Sequence, residues 1–476
     1  MMLNHIIRRI WDSPTFTTWA SFISRPLNLI LLTPLILTRL SSEEVAVWLL
    51  FSIFMNFQSL ADFGFNSSLI RAYSHATGGA KSIKSYKDSN IKVDTNKEIN
   101  WNLIEKIYST VKYMSLGLSI LFIMLLSTFG TYSVKKLINQ VNNPYEAWIA
   151  WIVIIIATGI NIYGAKYSVF IKGMNKIPLF MRWQTLFSVL SILTTSIVLY
   201  ISSNLLFVIL IYQFWIIISV LRNYIIAYKI CNNKLNTFNN VGFIYSVFNG
   251  VFPAAWRTWL AQFMSFGLIQ LSGIFYAQIG DITSVSSYLF SLKIINLIKQ
   301  FSNAPFYSKL PRFGKLFLLN KLEELKFEVK RAMFFSHLTF VLFFILAGFL
   351  SKPILEMIGS NTAFVDPILW FMLGVSFWIE RYGAMHFQFY SLTNHVVAHI
   401  GNGISGLLYI VLVLLFFNQF QLYSFPLSYG IAYLFFYSWL GPFYSLSRFK
   451  VNFFTFELKA SLIPLLFIIL YLIILL

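Results

Sequence analysis

The stretch FSVLSILTTSIVLYISSNLLFVILIYQFWIIISV, residues 187–220, decides the fold class. No charged residue falls between Arg182 and Arg222, and each half is long enough, at about 1.5 Å per helical residue, to cross a hydrocarbon layer about 30 Å thick. The only break is polar: Ser202, Ser203 and Asn204 join the halves, and so short a connection reads as the tip of a helical hairpin. Similar stretches recur on both sides. The apolar pattern predicts spans near 17–37, 45–70, 108–132, 147–171, 180–203, 205–228, 251–275, 282–304, 333–350, 364–389, 395–418, 424–446 and 457–476, about 13 helices. Of the 476 residues, 58% are hydrophobic and 11% charged, whereas a soluble domain holds about 45–50% and about 25%. The solvent of this chain is lipid.

The formal charge of +19 would suggest nucleic acid in a soluble protein, but the basic residues cluster in alternate loops, so no nucleic-acid partner is expected. Arg71 to Lys106 and Lys309 to Arg331 are the two largest basic connections. Counted over all loops, roughly 25 basic residues fall on one side and about 4 on the other, which predicts a cytoplasmic N-terminus in a multi-pass plasma-membrane protein. The LeuGluGluLeu segment at 322–325 reads as an interfacial helix. No cleavable leader is expected at the N-terminus, because the first apolar stretch continues through Leu37 without a small-residue cleavage site. A single cysteine, Cys231, leaves no internal disulfide framework or thiolate metal cluster.

The connection near 231–250 divides the helices. The expected architecture is all-α and polytopic, with about 12–13 transmembrane helices in two six-helix lobes around a central cavity. The N-terminal lobe covers 1–235, the C-terminal lobe 236–450, and residues 451–476 add a further transmembrane helix. Trp19 with Arg25 in the first span and Trp256, Arg257 and Trp259 in the seventh form a faint internal repeat, as in transporters built from repeated halves.

Ionisable residues inside spans carry the functional signal, since each costs roughly 2.5–3.5 kcal/mol at the bilayer centre on insertion scales. Arg25 and Asp62 fall at similar depths in the first two spans and are placed to pair, either as a packing device or as part of a cavity. Arg257, beside Pro253 in the seventh span, is a candidate anion ligand or a snorkelling side chain. Lys112, Lys166, Lys293 and Lys299 lie nearer span ends, where snorkelling is the ordinary reading and the mouth of an anion-attracting cavity the functional one. Glu380 and Arg381 are adjacent in the tenth span; neighbours on a helix point about 100° apart, so each needs its own partner. Glu380 is the candidate for coupling to Na⁺ or H⁺, with a salt bridge to another helix as the alternative, and His386 reads as a packed or interfacial histidine. No metal or other cofactor is expected: zinc, phosphate-loop and nucleophile-elbow motifs are lacking. Glu43 and Glu44 belong to a short turn, where Ser41 and Glu44 have the spacing of a capping box.

Three segments are more specific: PLILTRLSSEEVAVWLLF at 34–51, LADFGFNSSLIR at 60–71 and ATGG at 76–79. Together they resemble the start of O-antigen flippases of the Wzx type, within the superfamily that also holds lipid II flippases and multidrug and toxic-compound extrusion transporters. The resemblance implies a two-lobed transporter that flips an oligosaccharide repeat unit on undecaprenyl diphosphate across the bacterial plasma membrane, by alternating access, for O-antigen, lipopolysaccharide or other surface polysaccharide synthesis. It implies diphosphate contacts from Arg25 and Arg257, a cavity role for Asp62, a lipid-linked oligosaccharide as substrate beside membrane lipids, and a polysaccharide polymerase as working partner. Tyr163, Gln184, Gln213 and Trp215 are candidate sugar contacts, with ordinary helix packing the better reading for any one of them. A small-molecule exporter of the same fold is the alternative. A membrane polymerase or ligase is a weaker one, since the outer loops are too short for a catalytic domain; the chain reads as a transporter rather than an enzyme.

Overall fold

A computed structural model describes residues 27–57, 64–80, 99–231, 241–393 and 397–475, with positions 83, 238 and 395. Among them every regular element is helical. In chain order these are α1 (Asn28–Arg39), α2 (Ser42–Phe57), α3 (Phe65–Thr77), α4 (Trp101–Ile138), α5 (Pro144–Gly173), α6 (Ile177–Ser202), α7 (Leu205–Ile230) and α8 (Tyr245–Ile279). They continue with α9 (Ile282–Tyr307), α10 (Leu310–Leu318), α11 (Leu322–Met357), α12 (Pro367–Tyr390), α13 (Ala398–Phe420), α14 over 424–449, α15 (Phe453–Ala460) and α16 (Leu462–Leu475). The chain forms two compact units, Met1–Trp259 and Leu260–Leu476.

The architecture is that of an all-α, polytopic membrane protein. Seven helical stretches among the described residues are long and apolar enough to cross a bilayer, or eight if the bent pair α15–α16 is one span. One of the seven, Ala398–Phe449, contains both α13 and α14. The remaining expected spans fall short for identifiable reasons. The first lies partly outside the described residues, α9 carries Lys293, Lys299 and five serines, and α12 carries Glu380 and Arg381.

The expected span over 45–70 is corrected to two helices. Gly64, just before α3, takes φ +71°, a left-handed conformation that only glycine enters freely. A β-carbon there would collide with the Ala255 carbonyl of α8 and reach Trp259 N at 3.0 Å. The LeuGluGluLeu segment is also corrected: it opens α11 rather than forming its own helix, since no Gly or Pro interrupts the chain between Leu322 and Gly348. The separate amphipathic helix is α10.

Polar caps set the helix starts. Asn204 accepts hydrogen bonds from Leu206 N at 2.8 Å and Phe207 N at 3.3 Å, while Ser203 closes α6 at φ 45°, which makes the α6–α7 hairpin. The capping box forms as read: Glu44 N donates to Ser41 Oγ at 3.3 Å and Ser41 N to Glu44 Oε2 at 3.0 Å. Outward-facing Ile197, Ile201, Phe207 and Leu221 are exposed, the condition expected of side chains that meet lipid.

Candidate functional site

In the N-terminal unit, α2 to α7 surround a cavity of about 540 Å³. Its polar lining comes from Asn56 of α2, Asn66 of α3, Ser115 of α4, Asn161, Lys166 and Lys172 of α5, Gln184 of α6 and Asn223 of α7. Among the described residues, none that lines it is a carboxylate.

Lys166 is only 2% exposed. Its ammonium lies 3.1 Å from the ring centroid of Tyr163 and 5.0 Å from that of Tyr167. Aromatic faces stabilise a desolvated cation by roughly 2 kcal/mol and do not neutralise its charge. The snorkelling reading is thereby corrected for this residue: Lys166 is buried on the inner side of α5, because the rings one residue after it and one turn before it shelter the charge inside the unit. Lys112 of α4 is within electrostatic range and adds to the positive potential.

Arg222 of α7 supports the same cavity from behind. It donates to Asn223 Oδ1 from Nε at 3.2 Å and Nη2 at 2.8 Å, and from Nη2 to Gln184 Oε1 at 3.1 Å. Two lining amides are thus oriented by one guanidinium, whose carbon lies 4.6 Å from the centroid of Phe187. Sequence reasoning missed Arg222; its signal is an arginine on an otherwise apolar helix, next to an asparagine. Among the expected sugar contacts, Gln184 lines the cavity and Tyr163 holds Lys166, whereas Gln213 packs on Met55 Sδ at 3.0 Å and Trp215 donates to Thr194 Oγ1 at 2.8 Å.

Arg257 is half-buried, 5.9 Å from the Trp256 ring, and does not line this cavity; its Nε is buried with no hydrogen-bond partner among the described residues. Arg25 and Asp62 lie outside the described residues, as does Trp19.

The ionisable residues of the C-terminal unit are arranged differently. Lys299 of α9 and Glu380 of α12 form an ion pair at 2.7 Å, with side chains 17% and 4% exposed. Lys299 therefore belongs to a buried pair rather than to a cavity mouth. Arg381 turns away to α11, where Nη2 donates to Ser336 Oγ at 3.1 Å, and Ser336 in turn donates to the Ser302 carbonyl. The adjacent charges take separate partners, as their angular spacing requires. Lys293 is half-buried on α9. His386 is fully buried between Ser445 Oγ at 2.8 Å and Glu457 Oε1 at 3.0 Å, and Ser461 Oγ donates to Glu457 Oε2 at 2.7 Å, which ties α15 to α12. No cluster of three or more His, Cys, Asp or Glu suited to a metal occurs among the described residues.

No known protein family matches the chain, and no curated protein matches it in sequence. Solved structures do match in shape. An inward-facing multidrug resistance MATE family transporter of the MOP superfamily superposes with a TM-score of 0.67 at 13% identity, over 92% of this chain and 95% of the other. The lipid II flippase MurJ in its inward closed conformation gives 0.61 at 13% identity, over 97% of both chains. An outward-facing MATE family transporter gives 0.57 at 13% identity, over 93% and 97%. The chain has the fold of a membrane transporter. At such identities the likeness reaches the fold alone, and it spans nearly the full length of each chain.

Proposed function

We propose that this chain is a flippase that carries an oligosaccharide repeat unit, linked to undecaprenyl diphosphate, across the bacterial plasma membrane for surface polysaccharide such as O antigen. The observation that supports it is the N-terminal cavity, where a buried lysine stands among amides and hydroxyls with no carboxylate among the described lining residues. A positive, hydrogen-bond-rich chamber in a bilayer suits a phosphate-bearing headgroup, and it repels the organic cations that an exporter would carry. Lys166 and Lys172 supply charge, Gln184 and Asn223 supply oriented amides, and Arg25 and Arg257 add guanidinium contacts to the diphosphate at other points of the path. Lys112 and Lys293 lend positive potential. The polyprenyl tail stays in lipid while the headgroup crosses by alternating access. The step is driven by Na⁺ or H⁺ acting at the Lys299–Glu380 pair, where ion binding and pairing with Lys299 compete for one carboxylate. Asp62 pairs with Arg25, and a polysaccharide polymerase receives the product.

The test is complementation of a bacterial strain that lacks its own repeat-unit flippase and makes the sugars native to this chain's cluster. Surface polymer should return with the wild-type chain and fall at least about tenfold with Lys166→Ala, while lipid-linked units accumulate on the inner leaflet. Accumulation that persists with the wild-type protein inserted in the membrane refutes the flippase reading and favours export of small molecules.

A further inference from the structure

The C-terminal unit holds a second cavity, of about 720 Å³, between the end of α11 and the start of α12. We infer that it is a glycan-binding pocket, formed by Lys352, Glu356, Ser360, Asn361, Thr362 and Asp366, that takes the sugar portion of the substrate and not its diphosphate. The inference rests on the flippase reading for the identity of the ligand.

Charge decides against phosphate. Two carboxylates and one ammonium line the cavity, so its field disfavours an anion, opposite in sign to that of the lysine-lined cavity of the N-terminal unit. A resident metal is not indicated, for lack of a suitable ligand cluster among the described residues. The remaining groups are hydroxyl, amide and carboxylate, in a volume within the roughly 300–1,000 Å³ of small-molecule sites. That mixture of donors and acceptors matches a neutral polyol: carboxylates accept from sugar hydroxyls, and the ammonium and amide donate to ring and hydroxyl oxygens.

The pocket is built rather than an open crevice. Gly359 ends α11 at φ +65°, and Ser360 N returns to Leu355 O at 2.9 Å. Ser360 Oγ accepts from Thr362 N at 3.0 Å and donates to Thr362 O at 2.9 Å, so the connecting loop is braced against itself. Asp366 then caps α12 by accepting from Leu369 N at 2.9 Å. Thr362 lines this cavity at 2% exposure, and its Oγ1 has no hydrogen-bond partner among the described residues. A buried hydroxyl without a partner costs roughly 1–3 kcal/mol, a cost that a hydroxyl-bearing ligand removes. The inner wall is fixed by aromatic packing, where Gly348 leaves room for the Tyr471 hydroxyl and Trp370 stacks 5.3 Å from Phe344. The distribution of basic residues predicts that this end faces outside the cell, where the flippase reading has sugars released.

The test uses the full chain in lipid nanodiscs and three radiolabelled probes: the intact lipid-linked repeat unit, the same oligosaccharide freed of lipid and diphosphate, and undecaprenyl diphosphate without sugars. The free oligosaccharide should bind the wild type, weaken at least about tenfold in Glu356→Gln and in Thr362→Val, and return to wild-type affinity in Thr362→Ser. Undecaprenyl diphosphate should bind wild type and Glu356→Gln alike. If the intact unit binds the wild type but Glu356→Gln and Thr362→Val bind the free oligosaccharide as the wild type does, the pocket inference is overturned alone. If the wild type binds neither the intact unit nor the free oligosaccharide, the flippase reading fails and takes the inference with it.

Discussion

The two units bury charge in opposite ways. In the N-terminal unit Lys166 is 2% exposed and faces a cavity with no carboxylate among its described lining residues. In the C-terminal unit the buried charges are given protein partners: Lys299 with Glu380 at 2.7 Å, Arg381 with Ser336 at 3.1 Å, and His386 with Glu457 at 3.0 Å. A buried ion without a partner is costly, and a paired one is tolerated. The Lys166 charge, with no carboxylate partner among the described residues, is what a ligand of opposite sign would neutralise, and the compensated charges of the second unit hold helices together or respond to an ion that displaces one partner.

The largest expected effect tests the paired side of this contrast. Glu380→Leu leaves the Lys299 ammonium without its carboxylate and should destabilise the protein by about 3 kcal/mol in detergent unfolding. Lys299→Met in the same chain should recover most of that loss, since an apolar pair replaces an ionic one. Wild-type stability in Glu380→Leu alone would show that the pair does not brace α9 against α12.

The same measurement should go the other way in the N-terminal unit. Lys166→Met removes a buried charge that has no counter-ion among the described lining residues, so the melting temperature should hold or rise. Transport should nevertheless fall at least about tenfold, which is about 1.4 kcal/mol of lost transition-state binding. A variant that unfolds easily would mean that Lys166 serves packing, and the contrast between the units would collapse.

A smaller effect sharpens the account of the helix starts. Asp281 caps α9, and hydrogen bonds from the Thr283 hydroxyl and the Ser284 amide lower its pKa from 3.8 to about 2. A carboxylate whose pKa is depressed on folding stabilises above its unfolded value and loses that contribution as pH falls through its folded value. Asp281→Ala should therefore cost about 1 kcal/mol at neutral pH, with the gap to wild type closing between about pH 4 and pH 2. A gap unchanged at low pH would show that the charged form is not what caps the helix.

Much of the architecture was legible in the chain. The bilayer-long apolar stretches, the Ser203–Asn204 hairpin tip and the Ser41–Glu44 capping box depend on residues a few positions apart, and propensity, capping and periodicity act over that range. The divergence of Glu380 and Arg381 followed from helical geometry alone. Where a local signal was misweighed, the errors were also local. The span over 45–70 concealed a left-handed Gly64, and the segment at 322–325 was separated from a helix that nothing in the sequence interrupts.

The candidate site was legible only as residue types at depths. Sequence by itself determined that this is a helical membrane protein with lysines, arginines and acids inside its spans. Tertiary structure decided what each of them meets: that Lys166 turns into a chamber of amides beside two tyrosines, that Arg222 orients Gln184 and Asn223, that Lys299 finds Glu380, and that His386 finds a carboxylate on α15. A helix's own periodicity fixes which residues share a face, but the face that meets a cavity rather than lipid or a neighbour depends on the helix's rotation, set by packing against segments far away in sequence. The partner of a buried charge is therefore a property of the assembled unit and not of the segment that carries it.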